Sequence, residues 1–241
     1  MNELSPQLIG YALIGSIIPT VLWLWFWSRE DRFCPEPKIQ IMGAFIFGAL
    51  AALFTIPSQQ FIASIFGQGT IVALILFVTV EEVMKYFMCW YIAMRNNPYY
   101  NERIDSVIYL TTTAVGFAML ENLLYFMRYL HDYDIDLATL EGVKRMAGGA
   151  ILHMVTAGII GLFIAWAFHS TRITKKFALA TGVIAAIAVH VGFNFLVVHQ
   201  NQDLTLVAFG ATWFLFLCIL IGVELFRKPI CPAAPDWSRI T

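Results

Sequence analysis

Seven predominantly apolar stretches, most of them about 20 residues long, constrain the fold of this chain more than any other feature of its sequence. A helix of about 20 apolar residues crosses the hydrocarbon core of a bilayer, which is about 30 Å thick. The stretches lie at 7–27, 39–56, 70–94, 105–130, 146–168, 176–198 and 204–226. The sequence therefore predicts an all-α fold, a polytopic transmembrane helix bundle with about seven spans.

The composition supports a membrane environment and excludes one class of partner. Charged residues make up 13% of the chain, whereas soluble domains carry about 25%. A net charge of -1 leaves no basic surface for nucleic acid. We therefore expect membrane lipid as a partner, and a single transmembrane domain over residues 1–228 with a loose tail at 229–241.

The basic residues predict the orientation of the bundle. Of the 15 Lys and Arg residues, 11 fall in alternate connections, whereas the connections on the opposite side carry few. The basic connections are 28–38, 95–104, 169–176 and the segment after 226. Because cytoplasmic loops are enriched in Lys and Arg, we expect the N-terminus outside, the C-terminus inside and a cytoplasmic tail.

The second apolar stretch contains a proline whose effect the sequence leaves open. Pro57 is expected to end or kink the helix because it cannot donate a backbone hydrogen bond. Residues 58–66 would then lie in the membrane interface or re-enter the bilayer.

Ionisable and amide side chains interrupt four consecutive spans, which we number 3 to 6 in chain order. Such groups cost a few kcal/mol each near the middle of a bilayer, so they usually face a cavity and mark a functional site. They are Glu81, Glu82 and Lys85 in span 3, Glu121 and Asn122 in span 4, His153 in span 5, and His190 and Asn194 in span 6. This set predicts a catalytic core between about residues 70 and 198.

Helical spacing brings these side chains to similar depths. At about 1.5 Å per residue, Glu81, Glu121, His153 and His190 lie about 10 to 17 Å from the predicted outer ends of their helices. His190 and Asn194 share one helix face, and Lys85 is within reach of both Glu81 and Glu82. Which of the two glutamates acts as a base stays open.

Such a set of side chains supports the attack of water on a carbonyl group. A carboxylate can take the proton of water, and His and Asn donors can stabilise the oxyanion. Alternatively, two histidines and a carboxylate (His153, His190 and Glu121) can bind zinc and leave another glutamate as the base. The favoured interpretation needs no cofactor, and Zn²⁺ is a near-equal alternative.

Four ordered motifs on these helices resemble the PrsW family of intramembrane proteases, which is related to the group of CAAX proteases and bacteriocin-processing enzymes. The motifs are Glu81-Glu82-x-x-Lys85, Gly116-Phe117-Ala118-x-x-Glu121-Asn122-x-x-Tyr125, His153, and His190-x-x-x-Asn194. In the CAAX group the second motif has the pattern FxxxH, whereas here Glu121 follows Phe117, as in the PrsW branch.

The resemblance implies a role for each motif residue. Glu81 would activate water with Glu82 as its supporting neighbour, and His190 and Asn194 would stabilise the oxyanion, or His190 would bind a metal. Glu121 and His153 complete the implied catalytic set, with Lys85, Asn122 and Tyr125 in support. Glu121 would then be a second carboxylate facing the water-activating glutamate. Two such carboxylates need a shared proton, a cation or a metal between them.

The resemblance also implies an activity, a substrate and a location. It implies site-1 cleavage of a single-span membrane protein such as an anti-sigma factor, and a location in a bacterial or archaeal inner membrane. The depths of the four polar positions independently predict cleavage in or near the outer half of the membrane. A non-catalytic scaffold or chaperone with the same fold is one alternative. A proton-coupled transporter is another, because buried Glu and His also form proton relays.

Overall fold

The computed structural model describes residues 6–132, 142, 144–198 and 202–227, and within this part of the chain it contains helices and no strands. The predicted tail at 229–241 lies outside the described residues. The helices are α1 (Pro6–Glu30), α2 (Lys38–Phe66), α3 (Ile71–Cys89), α4 (Asp105–Asp132), α5 (Ile151–Trp166), α6 (Arg172–Val198) and α7 (Gln202–Phe226). Short π-helical turns at Trp90–Met94 and Arg145–Ala150 extend α3 and precede α5. The predicted all-α helix bundle is confirmed.

The membrane character of the bundle is carried by six of its helices, counted over the described residues. Each has the length and the apolar composition needed to cross a bilayer. Helix α3 is the remaining predicted span, and it carries Glu81, Glu82 and Lys85 within 19 residues. The chain is an integral membrane protein, and the three ionisable side chains of α3 are buried within the bundle.

Helix α2 continues through its proline. It runs from Lys38 to Phe66 with Pro57 inside it, so of the two predicted effects Pro57 does not end the helix, and a kink stays a prediction. Proline removes one backbone hydrogen bond, which a bundle can tolerate where neighbouring helices hold both halves in place. As a result, residues 58–66 form the last turns of α2, and Gln59 in them reaches the polar core.

Helices α4 and α5 form the centre of the bundle. In each of them 72% of the span is buried, against 28% or less in the other four candidate spans among the described residues. Helices α1, α2 and α3 pack on one side of this pair, and α6 and α7 close the other. Two glycines allow α2 and α4 to touch: a Cβ at Gly48 would collide with the carbonyl oxygen of Thr113, and one at Gly116 with that of Phe45.

The connection between α1 and α2 packs against the N-terminal end of α4. The backbone N–H of Glu36 donates to Asp31 Oδ2 at 2.7 Å, and the Tyr109 hydroxyl donates to the Glu36 carboxylate. Burial raises the pKa of Asp31 to about 7 and the pKa of Glu36 to about 8. In the unfolded chain these carboxyl groups lose their protons near pH 4, whereas the folded chain keeps them to higher pH. The free energy of unfolding therefore decreases as the pH rises from about 4 to about 8.

Candidate active site

Lys85 is the centre of a buried polar network that joins α3 to α5. Its ammonium group donates to Glu82 Oε1 at 2.8 Å, to His153 Nδ1 at 3.2 Å and to Thr156 Oγ1 at 3.2 Å. Lys85 is 1% exposed and Glu82 is fully buried. All three protons of the ammonium group are therefore used, and the charge of Glu82 is compensated inside the bundle.

These contacts assign the protons of both histidines. An ammonium group only donates, so His153 Nδ1 accepts from Lys85 and its Nε2–H donates to Glu121 Oε2 at 2.8 Å. The Nδ1–H group of His190 donates a hydrogen bond to Glu82 Oε1 at 2.6 Å. His190 Nε2 lies on the other side of the ring, 3.7 Å from Glu81 Oε2.

Arg145 enters the site from the π-helical turn before α5. Its NH2 group lies 2.9 Å from Glu121 Oε2, and its Nε donates to Asn122 Oδ1 at 3.1 Å. Its guanidinium carbon stands 4.0 Å above the ring of Tyr125. Glu121 is therefore held by a cation and a histidine together, and Asn122 and Tyr125 position that cation.

We expect Arg145→Gln to lower the free energy of unfolding by about 1 to 3 kcal/mol, because it removes charge-assisted hydrogen bonds to a partly buried carboxylate. Thermal or denaturant unfolding in detergent micelles measures the change. Arg29→Gln, at an exposed position, is the matched control and should stay within about 0.5 kcal/mol of the parent protein. An Arg145→Gln protein as stable as this control would show that the contacts to Glu121 contribute nothing.

Glu81 differs from the other two carboxylates in its partners. Gln59 Nε2 donates to Glu81 Oε1 at 2.7 Å, and the ring of His190 lies beyond the opposite oxygen, with Nε2 at 3.7 Å from Glu81 Oε2. Within the described part of the chain, no Lys or Arg forms an ion pair with Glu81, whereas Glu82 pairs with Lys85 and Glu121 with Arg145.

A cavity of about 200 Å³ adjoins this network. Glu81, Glu121, His153, His190 and Asn194 line its polar side. Leu152, Phe193 and Phe209 line its apolar side, and Val197 and Thr205 lie at the ends of α6 and α7. The cavity therefore brings carboxylate, imidazole and amide groups together next to an apolar wall.

The structure brings the predicted residues together with one difference in grouping. Ligand atoms of Glu81, His153 and His190 lie within 4.8 Å of one another, so Glu81, rather than the predicted Glu121, is the carboxylate grouped with the two histidines. Sequence reasoning missed Gln59, Arg145 and Thr156 as members of the site. Gln59 lies on the adjacent helix α2, and no motif in the sequence pointed to it.

Known protease sequences resemble this chain over the helices that carry the site. The family described as PrsW family intramembrane metalloprotease matches residues 36–222, which include every helix of the site. The chain belongs to the PrsW family. Its relatives include proteins named Protease PrsW from Clostridioides difficile, 24% identical over 88% of this chain and 85% of the relative, and from Oceanobacillus iheyensis, 27% identical over 76% and 81%. No solved structure matches it significantly.

The PrsW family description implies a metal, and the side chains of the site fit one. Two histidines and a carboxylate are a common catalytic zinc set, and Glu81, His153 and His190 lie close enough to provide it. His190 is ready to bind, because its Nδ1–H is held by Glu82 as in carboxylate–histidine–zinc arrangements. His153 would first have to give up a hydrogen bond to Lys85 or Glu121.

Proposed function

We propose that this PrsW family protein is an intramembrane endopeptidase in which Glu81 activates the attacking water. One observation carries the proposal: Glu81 lines the cavity without a Lys or Arg partner among the described residues, and Gln59 holds one of its two oxygens. Glu82 is fully buried, and its Oε1 accepts from both Lys85 and His190. Of the two adjacent glutamates, Glu81 is therefore the one that can reach both water and a peptide.

The reaction would use the chain's own groups to move one proton. Glu81 takes a proton from water as the water oxygen attacks the carbonyl carbon of the scissile bond. Asn194, one turn after His190 and on the cavity wall, provides an amide donor for the oxyanion. Protonated Glu81 then gives its proton to the leaving amide nitrogen, the C–N bond breaks, and a carboxylic acid and an amine result.

The second glutamate and the histidines keep Glu81 in position. Glu82 fixes the ring of His190, and this ring stands opposite Glu81 at 3.7 Å. Lys85 forms an ion pair with buried Glu82 at 2.8 Å, which offsets part of the cost of burying that carboxylate. A zinc ion bound by Glu81, His153 and His190 would instead supply a polarised, acidified water. The metal-free reaction is the main proposal because Lys85 already places a cation against His153.

The position of the cavity supports cleavage near one membrane surface. Glu81 lies about 15 Å, His190 about 12 Å and Glu121 about 16 Å from the ends of α3, α6 and α4 that face the same side. Val197 and Thr205 extend the cavity to the α6–α7 ends on this side. We propose that this side is external and that the substrate is a single-span protein cut in the outer half of its span, as in site-1 cleavage.

Reconstituted proteolysis tests the proposed activity. Purified protein in proteoliposomes is mixed with a single-span substrate carrying tags at both ends, and the product ends are mapped by mass spectrometry. We expect new ends in the outer part of the substrate helix. Ends in the opposite half would show that the site was assigned to the wrong membrane surface, and the absence of any cleavage across a panel of single-span substrates would argue against an endopeptidase.

The orientation can be tested independently of activity. Gly69 and Ser170 are exposed positions in connections at opposite ends of the bundle. With the N-terminus outside, Gly69→Cys should react with a membrane-impermeant thiol reagent in intact cells, whereas Ser170→Cys should react only after lysis. Labelling above that of the parent chain is the measurement, and the reverse pattern would invert the proposed orientation.

Metal content distinguishes the two catalytic types. We expect active protein to contain far less than one zinc per chain by elemental analysis and to keep its activity after treatment with a strong chelator. His190→Ala should then lose activity without any change in bound metal. One zinc per chain in the active protein, lost in both His153→Ala and His190→Ala, would instead establish the zinc enzyme.

A further inference from the structure

A second and larger cavity lies at the end of the bundle opposite the active site. Its volume is about 460 Å³, within the range of cavities that hold small ligands. It is formed where α3 and its π-helical turn meet the end of α5 and the start of α6. None of the residues assigned to catalysis lines it, so it has no part in the reaction proposed above.

We propose that this cavity is a binding site for an anionic phospholipid, with the phosphate at its basic rim and an acyl chain in its apolar interior. The rim consists of Arg172, Lys175 and Lys176, and the interior includes Trp90, Ile164 and Leu179. Membrane proteins commonly bind anionic headgroups in basic pockets between helices on the cytoplasmic side.

The charge of the rim points to an anion. All three basic side chains are exposed, and no carboxylate is among the residues that line the cavity. In the described part of the chain none of the three forms an ion pair. They stand in the first two turns of α6, whose helix dipole adds positive potential at the same place. Three unpaired cations beside one another repel, and a phosphate would relieve that repulsion.

The interior of the cavity selects a lipid over a soluble anion. Trp90, Ile164 and Leu179 present apolar surface directly below the rim, and the Tyr86 hydroxyl adds a polar group that forms no hydrogen bond with another described residue. An acyl chain packed against these side chains would shield their apolar surface from water. A free phosphate would satisfy the rim and leave this part of the cavity unused.

Lipid retention measures the proposed site without any need for proteolysis, so its outcome is independent of the proposed activity. Protein delipidated in a neutral detergent is titrated with phosphatidylglycerol or with phosphatidylcholine, and bound lipid is counted by native mass spectrometry. We expect one phosphatidylglycerol to bind tightly and phosphatidylcholine to bind far more weakly. The triple variant Arg172→Gln, Lys175→Gln, Lys176→Gln should weaken phosphatidylglycerol binding by about 100-fold, because each basic side chain contributes about fivefold near a surface.

A matched variant separates this site from general electrostatic attraction. Arg29→Gln, Arg32→Gln, Lys38→Gln removes the same charge from exposed positions at the same end of the bundle but outside the cavity. It should leave the affinity within about threefold of the parent value. Equal losses in the two triple variants would overturn the proposal.

The acyl-chain part of the site has its own test. Leu179→Trp fills the cavity without changing charge and should also weaken phosphatidylglycerol binding, provided that the unfolding temperature shows an intact fold. Full retention of the lipid by this variant would place the acyl chain elsewhere and overturn the assignment. Displacement of phosphatidylglycerol by inorganic phosphate at comparable concentration would identify a simple anion site instead of a lipid site.

Discussion

Glu81→Gln is expected to lower the rate of substrate cleavage by at least about 100-fold while leaving the protein folded. Glutamine keeps the shape of the side chain but cannot take a proton from water. Its amide can still interact with Gln59 and His190, and an uncharged amide is easier to bury than a carboxylate. The rate of cleavage in proteoliposomes and the unfolding temperature in detergent are the two measurements.

Glu224→Gln is the matched control, because it makes the same chemical change at an exposed carboxylate far from the cavity. It should cleave at the parental rate. If Glu81→Gln protein with a normal unfolding temperature cleaved nearly as fast as this control, Glu81 would not be the base.

Lys85→Met is expected to destabilise the protein by about 3 to 5 kcal/mol. The substitution leaves the fully buried carboxylate of Glu82 without its cation and frees His153 and Thr156 from their donor. Methionine fills much of the space of lysine, so the loss reports on charge more than on volume. Unfolding in denaturant or heat measures the effect, with Lys38→Met as the exposed control.

A second substitution separates the charge from the packing. Adding Glu82→Gln to Lys85→Met removes the unpaired carboxylate, so part of the lost stability should return. A double variant even less stable than Lys85→Met would show that the buried charge of Glu82 is not the source of the loss.

The apolar stretches predicted the number and order of the helices because a bilayer imposes one length on every span. The predicted starts and ends of α4 and α7 agree with the structure to within about two residues. Pro57 does not end α2, and the reason is tertiary. Its local rule holds for a helix in isolation, whereas in this bundle α3 and α4 pack along α2 and support it.

The polar residues of the four motifs predicted a shared site, and the structure places them around one network. What the sequence could not provide was the pairing within that network. Lys85 was within reach of both Glu81 and Glu82 by helical spacing, and the contact to Glu82 depends on side-chain packing against α5 and α6. The distinction between the two glutamates follows from this contact.

Arg145 was not predicted as a site residue, for a different reason. In the sequence it stands beside Lys144 at the end of a mixed, charged connection, where a solvated or surface role is the ordinary expectation. A π-helical turn at Arg145–Ala150 brings it against Glu121, and such turns are often found at functional sites. Helical periodicity gives no warning of a π-helical turn.

The three ionisable residues of α3 have a consequence for how the protein is made. Taken alone, this helix is a poor substrate for the insertion machinery, since each charged group adds about 2.5 to 3.5 kcal/mol to the cost of leaving the translocon. The hydrogen-bond partners of this pair on other helices, His153 and His190, are synthesised 68 and 108 residues after Lys85 and Glu82 respectively. The nascent α3 must therefore wait, beside the translocon or against α2, until α5 and α6 emerge, and the order of synthesis makes assembly of the catalytic site a late step of membrane insertion.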